Sequence, residues 1–240
     1  MRSSVTTFLT AAFLVLAPVA SHAALNNYAQ DFESLSQPAP GALSGDGWQV
    51  FANVFSPDHS AYFYGYGPFP APNNAGGFCG LDFVVGFPAQ GLQDMVVYSD
   101  YNNADHAAGN QIEANVFQQQ TIDPADVGSA WTFQWDAKLG NLEAPSTALA
   151  FIKTLNPAAG FATTNFITVD MTTIPAAWGT HSIVFNITPA LAGQILQFGF
   201  ANTASNYKGS GVFYDNVSFR KVLATPATKS SWGRVKSLYR

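Results

Sequence analysis

A disulfide framework is excluded at once, because the 240-residue chain holds a single cysteine, Cys79. Stability therefore has to come from packing or from a bound metal, and Cys79, in Gly-Phe-Cys-Gly, reads as a small buried hydrophobe. Charge is scarce as well, with Asp, Glu, Lys and Arg together only 10% of the residues. Between residues 24 and 219 only Lys138, Lys153 and Lys208 stand against all fifteen acids, a net −12. Such a body disfavours nucleic acid, whose binding needs clustered positive charge. Beyond the first 23 residues no long segment repeats its apolar residues at helical period, which argues against a helical fold. Zinc-type spacing is missing too: His59, His106 and His181 are widely separated, and His22 falls near the start.

What remains is rich in packing material. Hydrophobic residues make up 48% of the chain and aromatics 14%, well within the range of ordered globular proteins. Residues 1–23 read as a secretory leader, with Arg2 at its positive start, an apolar stretch from Phe8 to Val19 and a small-residue cleavage signal at Ser21-His22-Ala23. The apolar stretch is short and interrupted by Pro18, so it does not read as a membrane span, and the mature chain is expected to be secreted or held in the periplasm or envelope. Residues 24–221 fit one all-β domain. From Arg220 onward six basic residues occur with no acid, and residues 222–240 are expected to leave the domain as a basic tail.

Short alternating or apolar runs separated by Gly, Pro, Asn and Asp predict about a dozen strands, and hence a two-sheet antiparallel β-sandwich of the jelly-roll kind. In Trp131–Leu139 the residues Trp131, Phe133, Trp135, Ala137 and Leu139 share one face and predict core. The opposite face carries Thr132, Gln134, Asp136 and Lys138. In Gln111–Gln120, Ile112, Ala114 and Val116 likewise oppose Glu113, Asn115, Phe117 and Gln119. If these two strands are neighbours, their polar faces make one surface able to hydrogen-bond a sugar, with Gln134 and Asp136 as contacts. Thr188-Pro189 predicts one helical turn.

The segment Gly211–Phe219 poses a problem of charge. Alternation places Phe213, Val217 and Phe219 on one face with Asp215 among them. An ionised carboxylate there costs several kcal/mol unless neutralised. Basic partners are few, while the first strand carries Asp31-Phe32-Glu33. A calcium ion between the two ends of the domain, held by Glu33 and Asp215 with Asp31 as helper, would meet the need with oxygen ligands. Hydrogen bonds from the backbone or from Asn216 are the competing solution.

In this order, Asp31-Phe-Glu33, Gly47-Trp48, Trp178–Ile187, Leu196–Phe200 and Tyr214-Asp-Asn-Val-Ser-Phe219 resemble the galactose-binding-like jelly roll, a superfamily that includes many carbohydrate-binding modules of secreted glycosidases. The resemblance covers most of residues 28–220. It implies a structural calcium joining first and last strands, at positions matched by Glu33 and Asp215, and a polysaccharide or envelope component as partner. Such modules usually ride on a catalytic domain, whereas here the module fills nearly the whole mature chain.

The run Ala61–Pro70 offers a recognition element. Tyr62, Tyr64 and Tyr66 alternate with Phe63 and Gly65, so three phenols are expected to project from one side of a strand and to stack on a sugar. Catalytic candidates are weak. Glu113, Asp136 and Glu143 are the acids best placed for a sugar-hydrolysing pair, yet fifteen acids give such pairs by chance, and the chain is read as non-catalytic. Asp100–Asp105 is rich in oxygen ligands but lacks the full spacing of a calcium loop.

Overall fold

The computed structural model describes residues 24–73, 76–83, 85–86 and 89–223. The leader at residues 1–23 and the tail from residue 224 lie outside the described residues. Twelve strands follow in order: β1 (Tyr28–Gln30), β2 (Gln49–Phe55), β3 (Tyr62–Pro70), β4 (Gly77–Phe83), β5 (Gln93–Asp100), β6 (Gln111–Thr121), β7 (Ala130–Leu139), β8 (Thr147–Asn156), β9 (Ala162–Asp170), β10 (Gly179–Asn186), β11 (Ile195–Ala204) and β12 (Val212–Lys221). They form two antiparallel sheets. The first has the order β10-β7-β12-β5-β4, with β1 also on β12, and the second has the order β3-β2-β6-β11-β8-β9. The fold is thus the all-β, two-sheet sandwich predicted. Tyr28, Ala29 and Gln30 pair with Phe219, Ser218 and Val217, which brings the first and last strands together.

The core lies between the sheets and is built from rings. Trp131, Phe133, Trp135 and Ala137 are buried as alternation requires. From the second sheet, Phe200 stacks on Tyr214 of the first with ring centroids 3.6 Å apart, and Phe198 stacks on Phe219 at 4.5 Å. Trp131 closes on Phe219 at 4.9 Å. Burying such rings removes 150–250 Å² of surface each, roughly 4–6 kcal/mol at about 25 cal/mol per Å². Pro189–Leu191 forms the single turn predicted behind Thr188.

Two bulges overturn two readings of the sequence, and the sheet order a third. In β12 the register shifts between Asp215 and Ser218, around Asn216 with its left-handed φ of 48°. The bulge adds one residue, so Tyr214 shares the core face with Val217 and Phe219, while Phe213 turns outward and is only half-buried. Asp215 follows Phe213 to the outer side of the sheet. In β3 a second bulge at Phe63 separates the tyrosines: Tyr62 pairs with the outward Phe55, whereas Tyr64 and Tyr66 pair with the buried Val54 and Ala52. Strands β6 and β7 also belong to opposite sheets, so the single polar surface imagined from their outer faces does not exist.

Candidate functional site

Two outer surfaces carry chemistry. The first is the outer face of the second sheet. Alternation outward from the core aligns Phe51 and Asn53 of β2 with Glu113, Asn115, Phe117 and Gln119 of β6. The same rows continue through Gln197 of β11 to Phe151, Lys153 and Leu155 of β8. Gly199 sits in the middle of this floor, where an added Cβ would lie 2.1 Å from the Val116 carbonyl oxygen and 2.7 Å from Phe117 Cα. The side chains around it form a groove of about 510 Å³, walled by Phe51 and Phe161, lined also by the buried Phe117 and bordered by Asn53, Gln119 and Gln197.

The polar groups of this face are organised. Glu113 Oε1 accepts hydrogen bonds from Asn53 Nδ2 at 2.8 Å and Asn115 Nδ2 at 2.9 Å. Gln197 Nε2 donates to Gln119 Oε1 at 2.8 Å. Lys153 holds its ammonium 5.1 Å from the centroid of Phe151 and 5.8 Å from that of Phe166. Burial pulls its pKa below the usual lysine range, against the opposing pull of Glu113. Rings flanked by amides suit a sugar, whose C–H faces pack on aromatics while its hydroxyls hydrogen-bond at the edges.

The second surface is the outer face of the first sheet. Asp82 pairs with Asp94 across β4 and β5, and Asp215 pairs with Asp136 across β12 and β7. Because Tyr214 pairs with Met95, Asp215 follows one residue on beside Asp94, and the four aspartates form a row across four strands. Asp94 and Asp215 are each only 1% exposed. Neither oxygen of Asp94 has a hydrogen-bond partner, nor has Oδ2 of Asp215, whose Oδ1 accepts the Asn216 N–H at 2.6 Å. Burial pushes Asp94 up to about 7, with the Asp82 charge adding to it and Lys138 opposing. Burial likewise raises Asp215 to about 7, partly offset by the Asn216 N–H and reinforced by Asp94, Asp136 and Glu33.

A loop covers this row. Asn216 Nδ2 donates to Asp136 Oδ2 at 3.0 Å and Gln90 Nε2 donates to the same oxygen at 3.1 Å. Glu33 Oε1 accepts the backbone N–H groups of Leu92 and Gln93 at 2.8 and 2.9 Å. Gly91 makes that contact feasible: its φ is +79°, and a Cβ there would lie 2.2 Å from Glu33 Oε1.

The residues singled out from the sequence are thus dispersed. Glu33 and Asp215 lie close enough for the charge of one to raise the pKa of the other, but Glu33 already clamps the 90–93 loop. Asp31 is exposed, accepts the Glu33 N–H at 3.3 Å and lines an open polar cleft of about 660 Å³. Gln134 lines that same cleft, which contains no aromatic ring, and Asp136 is held by Thr180, Gln90 and Asn216. The ring-lined groove is the smaller of the two cavities but the better ligand site, since only it combines apolar walls with amides. Among the described residues no three His, Cys, Asp or Glu side chains are gathered closely enough to hold a metal ion by themselves.

Of the tyrosines, Tyr62 is 58% exposed and stands on the groove's side of β3, packed edge-on against Phe55. Tyr64 is 43% exposed, and its hydroxyl donates to Asp105. Tyr66 is half-buried and donates to Asp100 at 2.7 Å, and Asn103 bridges the two hydroxyls. The oxygen-rich Asp100–Asp105 loop is therefore an anchor for these two phenols. Sequence reasoning missed Asp94 and most of the groove. The outward alternation of Gln49–Phe55 and Thr147–Asn156, read together with that of Gln111–Gln120, was the signal that could have found the floor.

No family model matches the chain, and no curated protein matches it. Several solved structures are similar to the chain at low identity, with TM-scores below 0.5. The enzymatically active domain of tailspike protein 4 from bacteriophage CBA120 is 14% identical with a TM-score of 0.46, over 79% of this chain and 21% of the tailspike chain. The chain thus spans about a fifth of that protein's length. A xylan-binding CBM22-1 domain of Xyn10C from Paenibacillus barcinonensis is 9% identical with a TM-score of 0.42, over 87% of this chain and all of the domain. An apo cyclase from Fischerella sp. is 14% identical with a TM-score of 0.46, over 83% of this chain and 98% of the cyclase. Among the described residues no helix is long and apolar enough to cross a membrane.

Proposed function

We propose that the chain is an exported, non-catalytic β-sandwich that binds a polysaccharide in the ring-lined groove of its second sheet and carries a structural calcium ion against its first. The observation that carries the binding reading is the groove itself, where the rings of Phe51 and Phe161 meet the amides of Asn53, Gln119 and Gln197. Flat rings beside uncharged hydrogen-bonding groups are what a carbohydrate chain needs, and Tyr62 extends the aromatic surface toward β3. The leader-like residues 1–23 support export.

The calcium reading rests on the buried aspartates. Oxygen donors suit calcium in type, and three carboxylate oxygens of Asp94 and Asp215 are buried without a hydrogen-bond partner. These two residues would supply the side-chain ligands. Glu33 would add charge and hold the covering loop, and backbone carbonyls would have to complete the shell, since among the described residues no three such side chains are gathered into a metal-holding group. Asp31 is left to the open cleft.

Binding is tested by affinity electrophoresis in gels containing neutral and acidic polysaccharides, comparing the wild type with Phe51→Ala and Phe161→Ala. Retardation that disappears in both variants is expected. Migration unaffected by every polymer would remove the reading.

A further inference from the structure

The groove has an electrostatic peculiarity. Of the eleven side chains that line it, Lys153 alone is charged, and no acid contributes to its walls. The protein around it is strongly acidic, so the one cation stands against the general trend. Among the described residues the only salt bridge is between Lys208 and Glu143, and Lys153 has none. Its ammonium is instead packed beside the rings of Phe151 and Phe166. Glu113 is the acid that acts on it, yet that carboxylate already accepts two amide hydrogen bonds through Oε1. An ammonium without a salt bridge is free to make a charge-assisted hydrogen bond to an arriving carboxylate, shorter and stronger than one to a neutral hydroxyl.

The opposite wall shows a second feature. Phe161 closes the β8–β9 hairpin with φ of +62°, a left-handed conformation that costs a non-glycine residue about 1–2 kcal/mol. Its ring is nonetheless 60% exposed, so burial in the core does not repay that strain. The outcome is an apolar wall across the groove from the Phe51 side, with Lys153 on the floor next to Gln197.

We infer that the groove selects polysaccharides bearing carboxylates, that is, uronate-containing chains, with Lys153 meeting the carboxylate while Phe161 and Phe51 pack against the sugar faces. This rests on the binding reading above and adds the ligand's charge to it. Long-range repulsion from the acidic body opposes a polyanion, but charges farther than about 8 Å are largely screened at physiological salt, whereas a contact pair in the groove is not.

The test is calorimetric titration of the full mature chain with tetragalacturonate, with its carboxyl-reduced neutral counterpart, with xylohexaose as an intrinsically neutral chain, and with poly-glutamate as a carboxylate polymer lacking sugar. Wild type is expected to bind tetragalacturonate at least about tenfold more tightly than the reduced form. Lys153→Gln is expected to bind both equally, with an unchanged melting temperature showing that it folds. Lys153→Arg should keep the preference. Equal binding of acidic and reduced oligomers by wild type, a preference retained in Lys153→Gln, or poly-glutamate binding as tightly as the uronate would each overturn the inference. Binding of neutral chains alone would overturn it while leaving the polysaccharide reading intact, and binding of no carbohydrate would overturn both.

Discussion

Substituting Asp94 by Asn should stabilise the protein or destabilise it depending on whether calcium is present. Asp94 is buried with both oxygens unpartnered, and its pKa is raised from 3.8 to about 7 by burial and by Asp82. A carboxyl whose folded value lies above its unfolded one holds its proton more tightly when folded. Its contribution to stability is therefore complete below about pH 4, falls as pH rises through the window up to 7, and is lost above it. The gap corresponds to roughly 4 kcal/mol at about 1.36 kcal/mol per pH unit. Without calcium, wild type should thus become less stable between pH 5 and pH 8. Asp94→Asn removes the charge at a cost of about 1–3 kcal/mol for a buried amide lacking partners, leaving a net gain of about 1–3 kcal/mol at pH 8. For a domain of this size that is a rise in Tm of roughly 2–12 °C. At pH 5, where little more than a third of the wild-type loss has accrued, the gain should be smaller by about 3 kcal/mol. If Asp94 ligates the proposed calcium, the sign should reverse in calcium, because the variant lacks that ligand. Differential scanning fluorimetry at pH 5 and pH 8, in chelator and in calcium, reads all four conditions. A shift of the same sign with and without calcium, or of the same size at both pH values, would refute the reasoning.

Further outcomes follow from single packing and hydrogen-bonding facts. Trp135→Ala should cost about 3–5 kcal/mol by chemical denaturation, since the side chain is fully buried between Phe133 and Phe200. Tyr214→Phe should raise stability by about 1 kcal/mol or more, because the Tyr214 hydroxyl is buried without a partner while its ring stacks on Phe200. Gly199→Ala should cost several kcal/mol or abolish soluble expression, as its Cβ would fall on the backbone of Val116 and Phe117, a strand pair that cannot yield as a flexible side chain would. Cys79 should resist thiol reagents until the protein unfolds, because burial pushes its thiol well above the usual range.

Why the core was legible and the sites were not is clear from particular residues. The alternation in β7 placed Trp131, Phe133, Trp135 and Ala137 inside, because strand period is a local property of the backbone and nothing interrupts it there. The same rule failed wherever a bulge intervened. Asn216 and Phe63 each insert one residue, and each insertion reverses the face of every side chain beyond it. That is why Tyr62 parts from Tyr64 and Tyr66, and why Asp215 lies on the outer face beside Asp94 and not among the core aromatics.

The amino-acid sequence by itself determined the fold class, the strand content, the identity of the core strands and the excess of acid over base in the body, all of which depend on composition and on neighbours one or two residues apart. Tertiary structure alone decided which strands became partners. Only the sheet order sets β4, β5, β12 and β7 side by side so that four aspartates spaced across more than a hundred residues form one row. The same ordering puts Lys153 in line with Gln197 and Gln119 on the floor of a groove. Contacts of that kind come from long-range pairing, whose choice depends on the burial of whole sheets and not on any local pattern that a single strand can display.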